Sequence, residues 1–389
     1  MKRLLRIGFD IFITSFTPIV AWFFIGIIIN KELTNTFTLT YPIQCLMGII
    51  LSIFGVGANV CSIRDNNKNS ADNGIIYGII ISFILYGLIA LNCNSFIGFM
   101  NMKKKIFYIF CLYSIGQIFL QTILHLVLTK LYYLEMNKKA NKYSIIFNSL
   151  NFIGLVGTAL ITKNQVIISI VTLSLLTIFD IILLYKNIDK IDWKLNLKNC
   201  FKYDSVSCSM QIMFFIIYLF GFSNSFAYGD KYIVAITFAT LITDIQWDMA
   251  AAIKTAAKID IVKRNFDYNY HFKNALYYIF LLITSILLMG IILYPIYNPN
   301  LFIVSIFLSL HIADFITVPF TTIKICYLEI EYSAAKTTKQ MIIGFIIRTI
   351  VSLMHTPYCT ILGQMCDAVY ELLFATIAYK LFNNKKGID

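Results

Sequence analysis

Residues 74–98 read GIIYGIIISFILYGLIALNCNSFIG, without one Lys, Arg, Asp or Glu. From Ile75 to Ile89 the apolar side chains fall on every side of any helix or strand drawn through them. A membrane-barrel strand would alternate apolar and polar residues over ~10 positions. A helix needs ~20 mostly apolar residues to cross ~30 Å of hydrocarbon. The stretch is therefore predicted to be a transmembrane helix.

Working outward, eleven more blocks have this character: 8–29, 38–62, 106–129, 143–162, 164–185, 204–223, 232–253, 274–295, 301–323, 340–355 and 359–382. Twelve helices of ~20 residues leave short loops in a chain of 389 and no room for a soluble domain. The composition agrees: 59% hydrophobic, 13% charged, mean hydropathy +0.75. Soluble domains hold ~45–50% apolar and ~25% charged residues. A soluble enzyme, a disordered chain and a fibrous protein are excluded. Lys2, Arg3 and Arg6 precede the first apolar run as in a signal peptide, but the run is long and has no small-residue cleavage site. It is read as a retained first helix.

The net charge is +12. With both termini placed in the cytoplasm, 25 Lys and Arg residues fall in cytoplasmic segments and 6 on the other side, with Arg348 inside a helix. This positive-inside bias predicts a multi-pass protein of the cell membrane with both termini cytoplasmic. It also accounts for the basic loops, so no nucleic-acid partner is expected. The nine cysteines show no CxxC or Cys/His ligand spacing. They read as small packing residues rather than a metal site or disulfide framework.

The two halves echo each other at an offset of 194 residues. Tyr133-Leu134-Glu135 is matched by Tyr327-Leu328-Glu329, and Asp10, read as opening helix 1, by Asp204 at helix 7. Gly57-Ala58 is matched by Ala250-Ala251 at an offset of 193. The prediction is an all-α integral membrane protein with two six-helix bundles, 1–186 and 204–389, and a cytoplasmic linker at 187–203. Six is even, so the halves share one orientation and relate by a pseudo-two-fold axis along the membrane normal, as in transporters with parallel repeats. Such bundles face a central cleft and rock to give alternating access.

Ionisable groups in a bilayer cost ~2.5–3.5 kcal/mol each on insertion scales, so their positions are informative. Asp244 and Asp248 in helix 8 are four apart, on one face. His311 and Asp314 share a face of helix 10, and Asp367 and Glu371 a face of helix 12. Arg348 lies in helix 11 and Gln211 in helix 7; the first half offers only Asp10, His125 and Asp180. A carboxylate cluster in the second half suits binding of H⁺ or Na⁺. Asp314, mid-helix and five residues before Pro319, is the leading candidate. Bland readings stand beside this one. Arg348 paired with Asp367 or Glu371 would simply tie two helices, and Asp244 near a helix end would be solvated. Asp180, one turn from Tyr185-Lys186, would be interfacial, and His311 a packing residue. Trp247 is either a platform for a cationic ligand or an interfacial anchor.

Three stretches carry a resemblance. SIFGVGANVCSIR (52–64) is a small-residue helix end with a Gly-Ala pair running into a basic loop. TKLYYLEMNKKANKYSIIFNSLNFIG (129–154) is a helix 4–5 junction with Asn148 and Asn151. HIADFITVPFTTIKICYLEIEYSAAKTTKQMIIGFIIRTIV (311–351) is a helix 10–11 segment. Together they resemble the multidrug and toxic compound extrusion (MATE) family of the multidrug/oligosaccharidyl-lipid/polysaccharide flippase superfamily, over nearly the whole chain and at the level of pattern. The resemblance implies a secondary active efflux transporter, a Na⁺ or H⁺ antiporter with no bound cofactor. It implies a monomer in membrane lipid, exporting small amphipathic cationic compounds. It puts Asp314 on the helix 10 acid used for cation coupling and Asn148 and Asn151 on two helix 5 asparagines. Ala21 and Leu155 stand where members carry helix 1 and helix 5 aspartates, and Met210 or Gln211 near a helix 7 glutamate. The amino-terminal cation site is thus expected to be absent, with Asp244 and Asp248 supplementing the carboxy-terminal one.

Two alternatives stay open. A lipid-linked oligosaccharide or polysaccharide flippase shares the helix plan but favours a cationic cavity, whereas the buried charges here are mainly acidic. A prenyltransferase-like membrane enzyme would use Asp244-Ile-Gln-Trp-Asp248 to hold Mg²⁺, but no second aspartate-rich motif exists and the repeat goes unexplained. With no nucleotide-binding loop or catalytic triad, the chain is not expected to be an enzyme.

Overall fold

The computed structural model describes residues 2–65 and 69–386. All regular structure among them is helical. The first half holds α1 (Lys2–Ile28), α2 (Thr36–Ile50), α3 (Ala58–Arg64), α4 (Ser70–Leu91), α5 (Cys93–Phe99), α6 (Lys104–Tyr133), α7 (Asn137–Phe152), α8 (Thr158–Ile161), α9 (Gln165–Asn187) and α10 (Leu197–Tyr203). The second holds α11 (Ser205–Phe226), α12 (Asp230–Thr243), α13 (Ile245–Val262), α14 (Tyr268–Tyr297), α15 (Leu301–Tyr327), α16 (Ala334–Ser352) and α17 (Cys359–Lys386). Wide π-helical turns at Leu51–Gly57 and Ile153–Gly157 continue α2 into α3 and α7 into α8, and another at Leu328–Ser333 ends α15 before α16 begins.

Among the described residues, ten helical stretches are long and apolar enough to cross a membrane, and the protein is a multi-pass membrane protein. The twelve predicted spans are recovered when two details are followed. Leu301–Ser352 counts as one stretch of 52 residues, which as a single helix would run ~78 Å, more than twice the hydrocarbon thickness. It is two helices. Ser333 is extended (φ −166°, ψ 111°) and its hydroxyl accepts the Lys336 N–H at 3.3 Å, starting α16 afresh. The twelfth is α1, 27 residues long with Pro18 inside.

The 194-residue echo extends to the elements. Thr36 and Asp230 begin α2 and α12, Tyr133 and Tyr327 end α6 and α15, and Gln165 and Cys359 begin α9 and α17, each pair 194 apart. Asp10 is a correction: it lies inside α1, which already begins at Lys2. By packing, the chain divides into one unit of Ile13–Phe215 and another of Met1–Phe12 with Ile216–Asp389, so that the division passes through α1 and α11.

In the first unit α6 is central, packed on α2, α4, α7 and α9. Its Lys130 is buried, 2.5 Å from Asp72 of α4, and donates to the Asn187 carbonyl at 2.7 Å. The stretch read as a linker, 187–203, is docked on this unit. Asp192 accepts from the amides of Asn69 (2.9 Å) and Asn73 (2.5 Å), and Asp65 from Asn199 and Tyr203, both at 2.9 Å. Cys200 packs 3.5 Å from Cys61, sulfur to sulfur. Gly57 makes this approach possible, because a Cβ there would collide with the Cys200 carbonyl.

In the second unit α15 packs on α12, α13, α14 and α17, and α16 packs on α17. Lys258 of α13 meets Glu329 of the α15–α16 turn at 2.7 Å, each side chain only 1% exposed. Beside them His271 lies 3.1 Å from Asp260, and Phe266 stacks between the rings of His271 and Tyr327.

Two predictions follow from these anchors. Glu329→Gln strands a buried ammonium, which costs about 3–5 kcal/mol; the thermal midpoint in detergent should fall, and Lys258→Met/Glu329→Leu should recover most of the loss. A double variant no better than the single would refute the pairing. The second concerns Asp192, whose carboxyl the amides of Asn69 and Asn73 and the Lys194 N–H hold down at about 2, below the usual ~3.9. A depressed carboxylate holds its contacts above the unfolded value and loses them as pH falls through the folded one. The Trp193 contribution to emission, taken as wild type minus Trp193→Phe, should stay flat from neutrality to about pH 4 and change between about 4 and 2. In Asp192→Asn that step should vanish.

Candidate functional site

The second unit gathers charge at one place, between α15, α16 and α17. Asp314 and His311 come from α15, one turn apart on its buried side, their closest atoms 3.7 Å apart. From α17, Gln364 donates to Asp314 Oδ2 and lies 3.4 Å from His311 Nδ1. The same amide's oxygen accepts from Arg348 of α16 at 3.1 Å. Arg348 also stands 3.8 Å from Asp367 of α17 and over the Tyr218 ring of α11 at 5.9 Å. It is one of the largest fully buried side chains in the protein, 2% exposed.

Local backbone explains the fit. α16 and α17 run close because Gly344 has no side chain; a Cβ there would collide with Asp367 Oδ1. That oxygen is buried and has no hydrogen-bond donor among the described residues. Glu371, one turn beyond Asp367, is half-buried and within electrostatic range of Asp367, Asp314 and Arg348. Phe307 and Phe315 pack on the His311 ring at 5.1 and 5.4 Å. Three carboxylates thus share one guanidinium. Fully ionised, with His311 neutral, the group carries two negative charges in excess. Such an excess in a low-dielectric interior is costly unless positive charge offsets it.

Four of the sequence candidates therefore meet: Asp314, His311, Asp367 and Glu371. The bland reading of Arg348 is part of the geometry too, since it does tie α16 to α17. Asp244 is placed differently from expectation. It sits at the break between α12 and α13, so the two aspartates do not share one uninterrupted helix; the Trp247 N–H turns back to the Asp244 carbonyl at 2.9 Å. Asp244 is 9% exposed, so the reading of a solvated helix end is corrected, and Trp247 is half-buried. The Asp248 side chain lies outside the described residues. Gln211, Asn148 and Asn151 belong to the first unit. Gln211 lies against Gly48 of α2, Asn151 accepts from Tyr113 at 2.6 Å, and Asn148 donates to the Ser144 carbonyl. Asp180 is 2% exposed in α9.

Solved structures with this architecture are known. A multidrug resistance MATE transporter of the MOP superfamily in an outward-facing conformation matches with a TM-score of 0.67 at 15% identity, over 98% of this chain and 96% of that one. The fold is that of the MATE transporters. A MATE protein in complex with MaD3S gives 0.66 at 17% identity, over 98% and 97%. A MOP superfamily transporter from Pyrococcus furiosus, described as having a binding pocket of reverse polarity that suggests a different function, gives 0.68 at 15%, over 97% and 96%. No protein-family model and no curated protein matches the sequence.

Within this MATE fold the two repeats differ where it matters. Counting back 194 residues from Asp314, Arg348, Asp367 and Glu371 gives Leu120, Gly154, Leu173 and Thr177; His311 falls on Gln117, which donates to Gln121 at 3.1 Å. The charged cluster is thus a property of the second repeat alone.

Sequence reasoning missed Gln364 and Tyr218. Gln364 had a legible signal. It precedes Asp367 by three and Glu371 by seven, the spacing of one helical face, but a neutral amide does not stand out when charges are being sought. Tyr218 had none, being one of 24 tyrosines.

Arg348→Met should leave Asp367 buried without its cation, costing about 3–5 kcal/mol, read as a lowered thermal midpoint in detergent. Arg348→Met/Asp367→Asn should regain most of it. Equal losses in both variants would show that the pair is not the reason for the Arg348 burial.

Proposed function

We propose that the chain is a secondary active exporter of small amphipathic cationic compounds, an antiporter that exchanges them for Na⁺ or H⁺ by alternating access. The reading is supported most directly by the charge imbalance around Arg348. Asp314, Asp367 and Glu371 outnumber the one guanidinium, and the buried Asp367 Oδ1 has no donor among the described residues. A transported cation or proton relieves that imbalance when bound and restores it when released, which is the thermodynamic requirement for coupling to a second state of the protein. The MATE-type fold supports the class. We read the lysine-rich side as cytoplasmic, with both termini there, and the protein as a monomer of the cell membrane.

Efflux of a fluorescent cationic dye, with Na⁺ and pH varied separately, tests the proposal. Efflux should depend on one of the two ions. Asp314→Asn should abolish it while expression and membrane insertion stay at wild-type level. Undiminished efflux in Asp314→Asn, or no ion dependence, would overturn it.

A further inference from the structure

The segment joining the two repeats leaves one spanning helix at Asn187 and enters the next at Ser205. Both ends are fixed at a membrane surface, and the stretch between is short, so its side chains stay near the headgroups. Its sequence from Lys186 to Lys202, KNIDKIDWKLNLKNCFK, places a lysine at every fourth position: 186, 190, 194, 198 and 202. All five are exposed.

The two acids of the stretch offset only part of this row, five lysines standing against two carboxylates. Asp192 is held by Asn69 and Asn73, and Asp189 lies 3.4 Å from Lys130, which is itself buried against Asp72. Cys200 is buried and Leu195 half-buried on the same inward side, packed with Cys61 and Ala58. The outward side therefore carries the lysines together with Ile191, Trp193, Leu197 and Phe201, which are exposed by 39, 58, 51 and 44%. Trp193 is positioned. Its backbone is left-handed (φ 60°), unusual for a tryptophan, and its carbonyl accepts from Tyr77 at 3.1 Å while the two rings meet edge to face at 6.1 Å.

We infer that the outward face of residues 186–202 is a binding surface for anionic phospholipid headgroups. Lysines at headgroup level attract anionic lipid, and the interleaved aromatic and aliphatic side chains suit the boundary between headgroup and chain. A nucleic acid would use the charge but not the apolar row, and the anchored ends hold that row at the bilayer.

The test uses the full chain in phospholipid nanodiscs containing phosphatidylcholine and phosphatidylglycerol, with one or the other lipid brominated. Quenching of the Trp193 component (wild type minus Trp193→Phe) should be greater with brominated phosphatidylglycerol than with brominated phosphatidylcholine at equal mole fraction. Lys190→Gln, Lys194→Gln and Lys198→Gln remove exposed charges only, and each should weaken the preference by up to about five-fold, as should added salt. Equal quenching by the two lipids overturns the proposal. So does a preference that survives the triple lysine variant. Dye efflux is not the readout, so failure here is distinguishable from failure of the transport reading.

Discussion

A hydrocarbon solvent leaves a buried polar group only partners that the protein itself supplies. The backbone meets this constraint by crossing in helices, since only helices and closed barrels satisfy every peptide group inside a bilayer. The same constraint explains where the helices are interrupted. The breaks at Asp244 and Ser333 are capped or turned by local groups, and the π-helical turns keep the chain hydrogen-bonded while shifting its register. It also explains why so few charges exist away from the ends.

The repeat shows how one skeleton serves two purposes. Several helix starts and ends agree at a 194-residue offset, because span length and loop length are set by the membrane and hardly by side-chain identity. Side chains at equivalent positions are free to diverge. Leu120 against Asp314 and Leu173 against Asp367 are the extreme case: apolar packing in one repeat, a buried carboxylate in the other.

Most of the fold was legible because the membrane writes it into composition. Residues 74–98 and their eleven counterparts gave the spans, and the Tyr-Leu-Glu echo gave the repeat. Less legible were breaks that cost no hydrophobicity. Asp244 sits in an apolar-periodic block, so nothing in its neighbours announced the turn between α12 and α13. Docking of 187–203 was hidden too, since asparagines at 69 and 73 look like ordinary loop residues until they meet Asp192. For the site, acid spacing on α15 and α17 was readable from helical period alone, whereas the bridging of Asp314 to Arg348 by Gln364 depends on how three helices pack. The burial of Asp180 was hidden for the same reason: distance from Lys186 along the chain says nothing of what covers it.

Buried ionisable groups occur here as close pairs, as the group around Arg348, and as Asp180 of α9, whose carboxyl oxygens have no hydrogen-bond partner among the described residues. Lys130 with Asp72 and Lys258 with Glu329 are close ion pairs near helix ends, at 2.5 and 2.7 Å, and Asp189 is a second, exposed partner of Lys130 at 3.4 Å. Such pairs fix helices and add little net stability over a well-packed apolar pair. Around Arg348 the count does not balance. Its distance to Asp367 is longer, 3.8 Å, its fork is shared with an amide, and Asp314 and Glu371 have no second guanidinium to meet. A protein selected for stability alone would replace the surplus acids with uncharged residues, as the first repeat has Leu120 in place of Asp314 and Thr177 in place of Glu371. The proposed exchange accounts for their retention: a mobile cation would complete the group in one state of the protein and leave it in another.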